Sequence, residues 1–263
     1  MALKSKLSFA DVSFSYGEKP IVQHFSLQIG QGEFVSLIGP SGVGKSTLFQ
    51  LATGLLAPTA GTISLNGEKE RTLLGKVGYM PQKDLLMPWR TVAENAALPL
   101  EIKGVDKHAS TERVMELLPA FGLKGWEHAY PDQLSGGMRQ RVSLLRAVLA
   151  GNDLLLLDEP FSALDGITRM EMQEWLLGVC ERLGTTIMLI THDIDEAILL
   201  ADRVLVLAQT PLTQAIEVPI LLPRPRRGEH RYDPAFLALR EEIWRILQER
   251  RAQSGEKGRW QAQ

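Results

Sequence analysis

Nine consecutive residues, Gly39 to Thr47 (GPSGVGKST), carry the most specific chemistry in this chain. They match the pattern G-x-x-x-x-G-K-[ST]: Gly39, Gly44, Lys45 and Ser46 stand in the defining places, and Pro40, Ser41, Gly42, Val43 and Thr47 complete the loop. Gly39, Gly42 and Gly44 let the backbone take conformations closed to other residues, so that its N–H groups can close around phosphate oxygens. Lys45 adds a positive charge near the terminal phosphates, and the Ser46 hydroxyl is suited to ligate Mg²⁺. The expected ligand is a nucleoside triphosphate.

Further residues could act on such a ligand. Leu154-Leu155-Leu156-Leu157 runs into Asp158 and Glu159, two carboxylates at the end of an apolar run. Continuous apolarity suits a parallel strand covered on both faces, and ligands bind outside the carboxyl ends of such strands. Asp158 can enter a Mg²⁺ shell, and Glu159 can orient or deprotonate water. Ser135-Gly136-Gly137 can open a helix whose free N–H groups face an anion, or can be no more than a cap. Tyr16 is a strand-end aromatic or a ring stacked on adenine. Gln82 and His192 each close a strand, which is what gives these single residues interest.

The elements that must position them can be read from periodicity. Phe34 to Ile38 is a strand entering the phosphate loop, and Leu48 to Leu51 continues as a helix. Leu7 to Tyr16 and Ile21 to Ile29 form an antiparallel edge, and Asn66-Gly67 marks a hairpin turn. Lys76 to Met80 is a short strand. From Thr91 to about Ala150 the pattern becomes helical, starting with the capping box Thr91-Val92-Ala93-Glu94. A helix from Asp165 to about Leu183, strands at Thr185 to Thr191 and Arg203 to Leu207, and a helix start at Asp193 to Glu196 complete the core. The fold class is α/β with an antiparallel edge and an inserted helical subdomain. The stretch Pro219 to Pro225, with Arg224, Arg226, Arg227 and Arg231, reads first as a solvated basic linker, with contact to acidic lipid headgroups or nucleic acid as the minority readings. Pro234 to Glu249 reads as an amphipathic helix with Phe236, Leu239, Ile243 and Leu247 on one face, and the last residues should fray.

Composition narrows the class. A chain of 263 residues can bury a large core, and 44% hydrophobic with 23% charged residues is ordinary for a globular protein. A formal net charge of −2 argues against a protein built to hold nucleic acid. Cys180 is the only cysteine, which excludes an intrachain disulfide and a cysteine-based zinc cluster. The N-terminus does not read as a secretory signal, and the apolar runs are too short to cross a bilayer. A membrane would therefore be met through a partner.

Taken in order, these motifs resemble the nucleotide-binding subunit of ABC transporters, from Leu7 to about Leu207. The resemblance implies a P-loop ATPase with ATP and Mg²⁺. By it, Tyr16 stacks on adenine, Gly39 to Thr47 is the Walker A loop, and Gln82 is the Q-loop residue, touching Mg²⁺. Ser135, Gly136 and Gly137 belong to the signature motif, Asp158 ends Walker B, Glu159 is the catalytic carboxylate, Asp165 lies in the D-loop, and His192 is the switch histidine. Met138 departs from the family's usual LSGGQ, where glutamine follows the two glycines. The implied division is a nucleotide-binding domain over 1–208, with the helical subdomain at about 91–150, and a C-terminal linker and helix over 209–263.

QKDLLMPWRTVAENAALPLEIKG and LSGGMRQR are similar to importers of the nitrate, sulfonate, taurine and thiamine pyrimidine precursor group. That implies a head-to-tail homodimer on an integral membrane permease at the cytoplasmic face of the inner membrane, a solute-binding protein acting through the permease, and no nucleic acid. A soluble ABC ATPase acting on ribosomes or DNA shares the nucleotide motifs, but usually carries tandem cassettes or long coiled insertions.

Overall fold

The alternating segments at the start of the chain become long paired strands. A computed structural model describes residues 5–69 and 72–253. It begins with β1 (Ser5–Tyr16), β2 (Lys19–Gly30), β3 (Phe34–Ile38), α1 (Lys45–Thr53) and β4 (Ala60–Leu65). Next come β5 (Gly78–Met80), α2 (Val92–Ile102), α3 (Lys107–Leu117), α4 (Gly136–Leu149), β6 (Leu154–Asp158), α5 (Gly166–Leu183) and β7 (Thr186–Ile190). The chain closes with α6 (Ile194–Leu200), β8 (Arg203–Val206), β9 (Ile216–Pro219) and α7 (Pro234–Gln253). Two compact units form, one from Met1–Leu74 with Ile190–Gln263, the other from Gly75–Leu189.

In the first unit β1 pairs antiparallel with β2 and with β4, giving the order β2-β1-β4. The inward side chains Leu7, Phe9, Val12, Phe25 and Ile29 are buried, and Phe9 meets Phe25 edge to face with centroids 6.0 Å apart. The Asn66-Gly67 turn forms as expected: φ is 56° and 80°, and Leu65 and Glu68 exchange two backbone hydrogen bonds of 3.0 Å. A second group of strands has β3 parallel to β8 and β8 antiparallel to β9, so it is mixed. β9 has no counterpart in the reading of the sequence, which placed the last core strand at β8.

The second unit holds the helical stretch and the apolar strand. β5 pairs parallel with β6, Gly78 opposite Leu155, in the order β5-β6-β7. All of β6 is buried. Each of its leucines contributes about 1.5–3 kcal/mol of apolar burial before entropy is counted. Thr91 caps α2 with the expected box: its N–H reaches Glu94 Oε2 at 2.9 Å and its hydroxyl accepts Glu94 N–H at 3.3 Å.

The expected basic linker is largely built into the first unit. Arg226 is only 4% exposed. Its Nη1 donates to the carbonyls of Ile198 (3.0 Å) and Ala201, its Nη2 to those of Ile220 (2.9 Å) and Leu222 (2.9 Å). A guanidinium has five donors, and the end of α6 has carbonyls no helical N–H can reach, so the two needs meet. Burial, with the charge of Arg224 beside it, pushes Arg226 down to about 10, and Asp202 opposes the shift. Arg224 itself pairs with Asp202 at 2.7 Å, while Arg227 is exposed. In α7, Phe236 and Ile243 are fully buried, Leu239 and Leu247 are half-buried, and the helix packs against α6. The final residues expected to fray lie outside the described residues. Among the described residues no helix is long and apolar enough to cross a membrane.

Candidate nucleotide site

The first unit carries the phosphate loop, Tyr16 and His192. β3, buried throughout, delivers Gly39 against the chain leaving β8, where Leu207 N–H donates to Ile38 O at 2.8 Å. A Cβ on Gly39 would lie 2.1 Å from Leu207 O, so only glycine fits. Gly42 (φ 81°) and Gly44 (φ 112°) take left-handed conformations. Gly44 is the N-cap of α1 and provides no side-chain cap, so the N–H groups of the first turn point into the loop. Lys45 Nζ folds back over the loop onto Gly39 O (2.7 Å) and Pro40 O (2.9 Å). Val43 and Thr47 are buried beneath, while Ser41, Gly42 and Ser46 are exposed.

Tyr16 ends β1 with an exposed ring, which lies edge-on to Phe14 (4.9 Å, 88°) and donates its hydroxyl to Gln50 Oε1 at 3.1 Å. His192 is exposed and follows Thr191, whose N–H donates to Leu37 O of β3 at 3.2 Å.

The second unit carries the other candidates. Asp158 ends β6, only 3% exposed. Glu159 follows with φ 52°, an uncommon conformation for a residue with a side chain. Gln82, which follows β5, donates from Nε2 to Glu159 Oε2 at 3.0 Å, so these two are brought together. Ser135 caps α4 by accepting the Met138 N–H at 3.2 Å; this uses Met138's backbone and is indifferent to its side chain. Gly137 packs closely on the Ala163 carbonyl, where a Cβ would sit 3.1 Å from the oxygen. Ser135, Gly136 and Asp165 are exposed. Backbone N–H groups, Thr168's foremost, hold the Asp165 carboxyl below the usual range; its Oδ1 accepts from Thr168 at 3.1 Å and Ile167 at 3.2 Å.

Gln140 was missed in the sequence reading. It is buried on α4, donates to Glu159 O (2.7 Å) and Ser162 Oγ (3.1 Å), and accepts the Ala163 N–H (2.9 Å), so it shapes the turn after β6. The available signal was a polar residue in the inward stripe Gln140, Ser143, Ala147.

Chemically, the first unit offers a cradle of N–H groups with a lysine and an exposed hydroxyl, which fits a triphosphate. The second offers a buried carboxylate and a second carboxylate held by an amide, which fits metal and water. This is the equipment of a phosphate-loop ATPase. A family model described as ABC transporter matches residues 22–162. The formylaminopyrimidine import ATP-binding protein ThiZ of Halalkalibacterium halodurans is 42% identical over 93% of this chain and 97% of its own. The taurine import ATP-binding protein TauB of Yersinia pestis is 41% identical, over 89% and 94%. The aliphatic sulfonates import ATP-binding protein SsuB 1 of Rhodococcus jostii is 41% identical, over 90% and 91%. Among solved structures, an ATP-binding cassette dimer in a post-hydrolysis state bound to ADP and Pi superposes with a TM-score of 0.73 at 30% identity, covering 82% of this chain and all of that one. The chain belongs to the ABC transporter family as an ATP-hydrolysing cassette.

Proposed function

We propose that this chain is the motor subunit of an ABC importer for a small solute of the pyrimidine, sulfonate, taurine or nitrate type. It docks as a peripheral subunit on an integral permease, at the cytoplasmic face of the inner membrane, and a solute-binding protein delivers to that permease. The importer names of the relatives support this reading. Residues 1–208 act as the nucleotide-binding domain, with about 91–150 as its helical subdomain, and 209–263 as a C-terminal segment.

ATP is the substrate. Gly39 to Thr47 wraps its phosphates, Lys45 offsets their charge, and Tyr16 stacks on the adenine. By motif identity Ser46, Gln82 and Asp158 would be the residues to hold Mg²⁺, which would supply positive charge to offset that of the phosphates. Glu159 orients the attacking water, and His192 contacts the γ-phosphate. Ser135, Gly136, Gly137 and Asp165 serve the ATP of the opposite subunit in a head-to-tail homodimer. The physical sense of that dimer is that each subunit supplies only part of the positive surround a triphosphate needs. ATP then joins the two, and its hydrolysis releases them. Motif identity, rather than distance, supports these roles.

The observation that carries the catalytic assignment is Glu159 at the end of a buried strand, in an uncommon backbone conformation and held by Gln82 at 3.0 Å. Glu159→Gln is expected to bind ATP as the parent does while turnover falls by more than about a hundredfold. Retained turnover overturns the role of Glu159. For the transport reading, affinity purification from native membranes with a slowly hydrolysed ATP analogue is expected to recover a polytopic membrane protein. Recovery of ribosomes or DNA-bound proteins in its place points to a soluble ABC ATPase.

A further inference from the structure

At seven residues α6 is too short to be stable by itself, yet it begins immediately after the segment that presents His192. Its C-terminal end is held by Arg226. Its N-terminal end is held differently, by a small polar network. Thr191 is 2% exposed and Glu196 5%. The Thr191 hydroxyl donates to Glu196 Oε2 and accepts the Asp193 N–H at 3.0 Å. Glu196 N–H donates to Asp193 Oδ1 at 3.1 Å, and Ala197 N–H to Asp193 O at 3.1 Å. With Thr191 N–H on Leu37 O, the residues on both sides of His192 are fixed while His192 itself is exposed.

Capping α6 requires only Asp193, whose side chain already serves that purpose. A buried carboxylate is a poor choice for stability alone, because desolvating it costs more than an apolar side chain of similar size would. The Thr191–Glu196 link has another consequence: it joins the residue just after β7 to the first turn of α6, across the four residues that begin with His192. We infer that Thr191 and Glu196 are positioning residues for His192, holding the strand-to-helix turn so that its imidazole is offered in one orientation. This rests on the role given above to His192.

The test is steady-state ATPase activity of the full chain, with thermal unfolding measured in parallel. His192→Ala should abolish turnover. Thr191→Val is nearly isosteric and removes both hydroxyl hydrogen bonds; it should lower kcat about tenfold with KM for ATP unchanged. Thr191→Ser keeps the hydroxyl and should return kcat to within about twofold of the parent. Glu196→Met removes the acceptor without leaving a buried charge, at the cost of a Thr191 hydroxyl that must find another acceptor, so it should lower the unfolding temperature only modestly while lowering kcat as Thr191→Val does; it decides the matter if Thr191→Val does not fold. Full kcat in Thr191→Val or Glu196→Met, with His192→Ala inactive, overturns the inference. Full kcat in His192→Ala overturns the role of His192, and the positioning role with it. A kcat that merely follows the unfolding temperature across the series also overturns it.

Discussion

Two loops leave the carboxyl ends of parallel strands in this protein, and they are held in shape by opposite means. The phosphate loop after β3 is shaped by its own backbone: Gly42 and Gly44 are left-handed, and Gly39 passes so close to Leu207 that no side chain fits. The loop from Gln82 to Arg90 after β5 is shaped by side chains that reach into it from helices. Arg139 Nε donates to Asp84 Oδ2 at 3.2 Å, while Arg146 donates to Asp84 O at 2.7 Å and Leu85 O at 2.9 Å. Leu85 is held at φ 46°. From the other side Asn95, fully buried, accepts the Met87 N–H at 2.8 Å and donates to the carbonyls of Met87, Arg90 and Thr91 at 2.9–3.1 Å. A loop of the first kind fails by gaining an atom. A loop of the second kind fails by losing a partner elsewhere.

The largest effect expected from this contrast is at Gly39. In Gly39→Ala the new Cβ would sit 2.1 Å from a backbone oxygen, so the loop or the end of β8 must shift. ATP affinity should fall by more than about tenfold and stability by about 1–3 kcal/mol, read by nucleotide titration and urea unfolding. Asn95→Ala removes four hydrogen bonds and leaves the Met87 N–H and the Arg90 carbonyl to find new partners, while the carbonyls of Met87 and Thr91 keep the backbone N–H groups of Arg90 and Asn95. It should lower stability by about 1–3 kcal/mol and expose the loop to proteolysis, with ATP affinity within about twofold of the parent. If Asn95→Ala lost as much ATP affinity as Gly39→Ala, the two loops would not be independent devices and the contrast would fail.

The same contrast explains what the sequence made legible. The phosphate loop was readable because its determinants are contiguous and of a type, glycine, that is chosen for backbone reasons. So were β6, the Thr91 capping box, the Asn66-Gly67 turn and the buried face of α7, each set by a short local pattern. The clamps on the Gln82–Arg90 loop were not readable. Arg139 and Arg146 lie 55 and 62 residues from Asp84, and an arginine in a sequence looks the same whether it meets water or a carbonyl. Arg226 was misread for that reason: its neighbours Pro225 and Arg227 suggest a solvated stretch, whereas its partners Ile198 and Ala201 are more than a helical turn distant in sequence and close only in the fold. Asn95 left a fainter trace, as a polar residue within an otherwise apolar helix stripe, and Gln140 one as a polar residue on the inward stripe it shares with Ser143 and Ala147. For Asp158, Glu159 and Gln82 the sequence supplied the residue types and strand ends, and the folded chain adds the hydrogen bond between Gln82 and Glu159.

The smallest expected effect sharpens the comparison at the root of the side-chain-held loop. Tyr79, on β5, has its hydroxyl pushed up to about 12 by burial first and by the negative charge of Asp158 second. The folded value lies above the unfolded one, so the neutral phenol is favoured by folding. That contribution is fully present below about pH 10, the ordinary value, and is lost as pH rises through about 12. Tyr79→Phe should therefore leave stability at pH 7 nearly unchanged, flatten its decline above pH 10, and remove a tyrosinate absorbance step near pH 12. The other three tyrosines are exposed, which makes the step assignable. Asp158→Asn separates the two causes. It should move the Tyr79 step down only in part, because burial is the larger cause and survives the substitution. A step that returns fully to the ordinary tyrosine range in Asp158→Asn would mean that charge, not burial, governs this strand end, and that β5 is more open to water than the buried flank of Gly78 and Met80 implies.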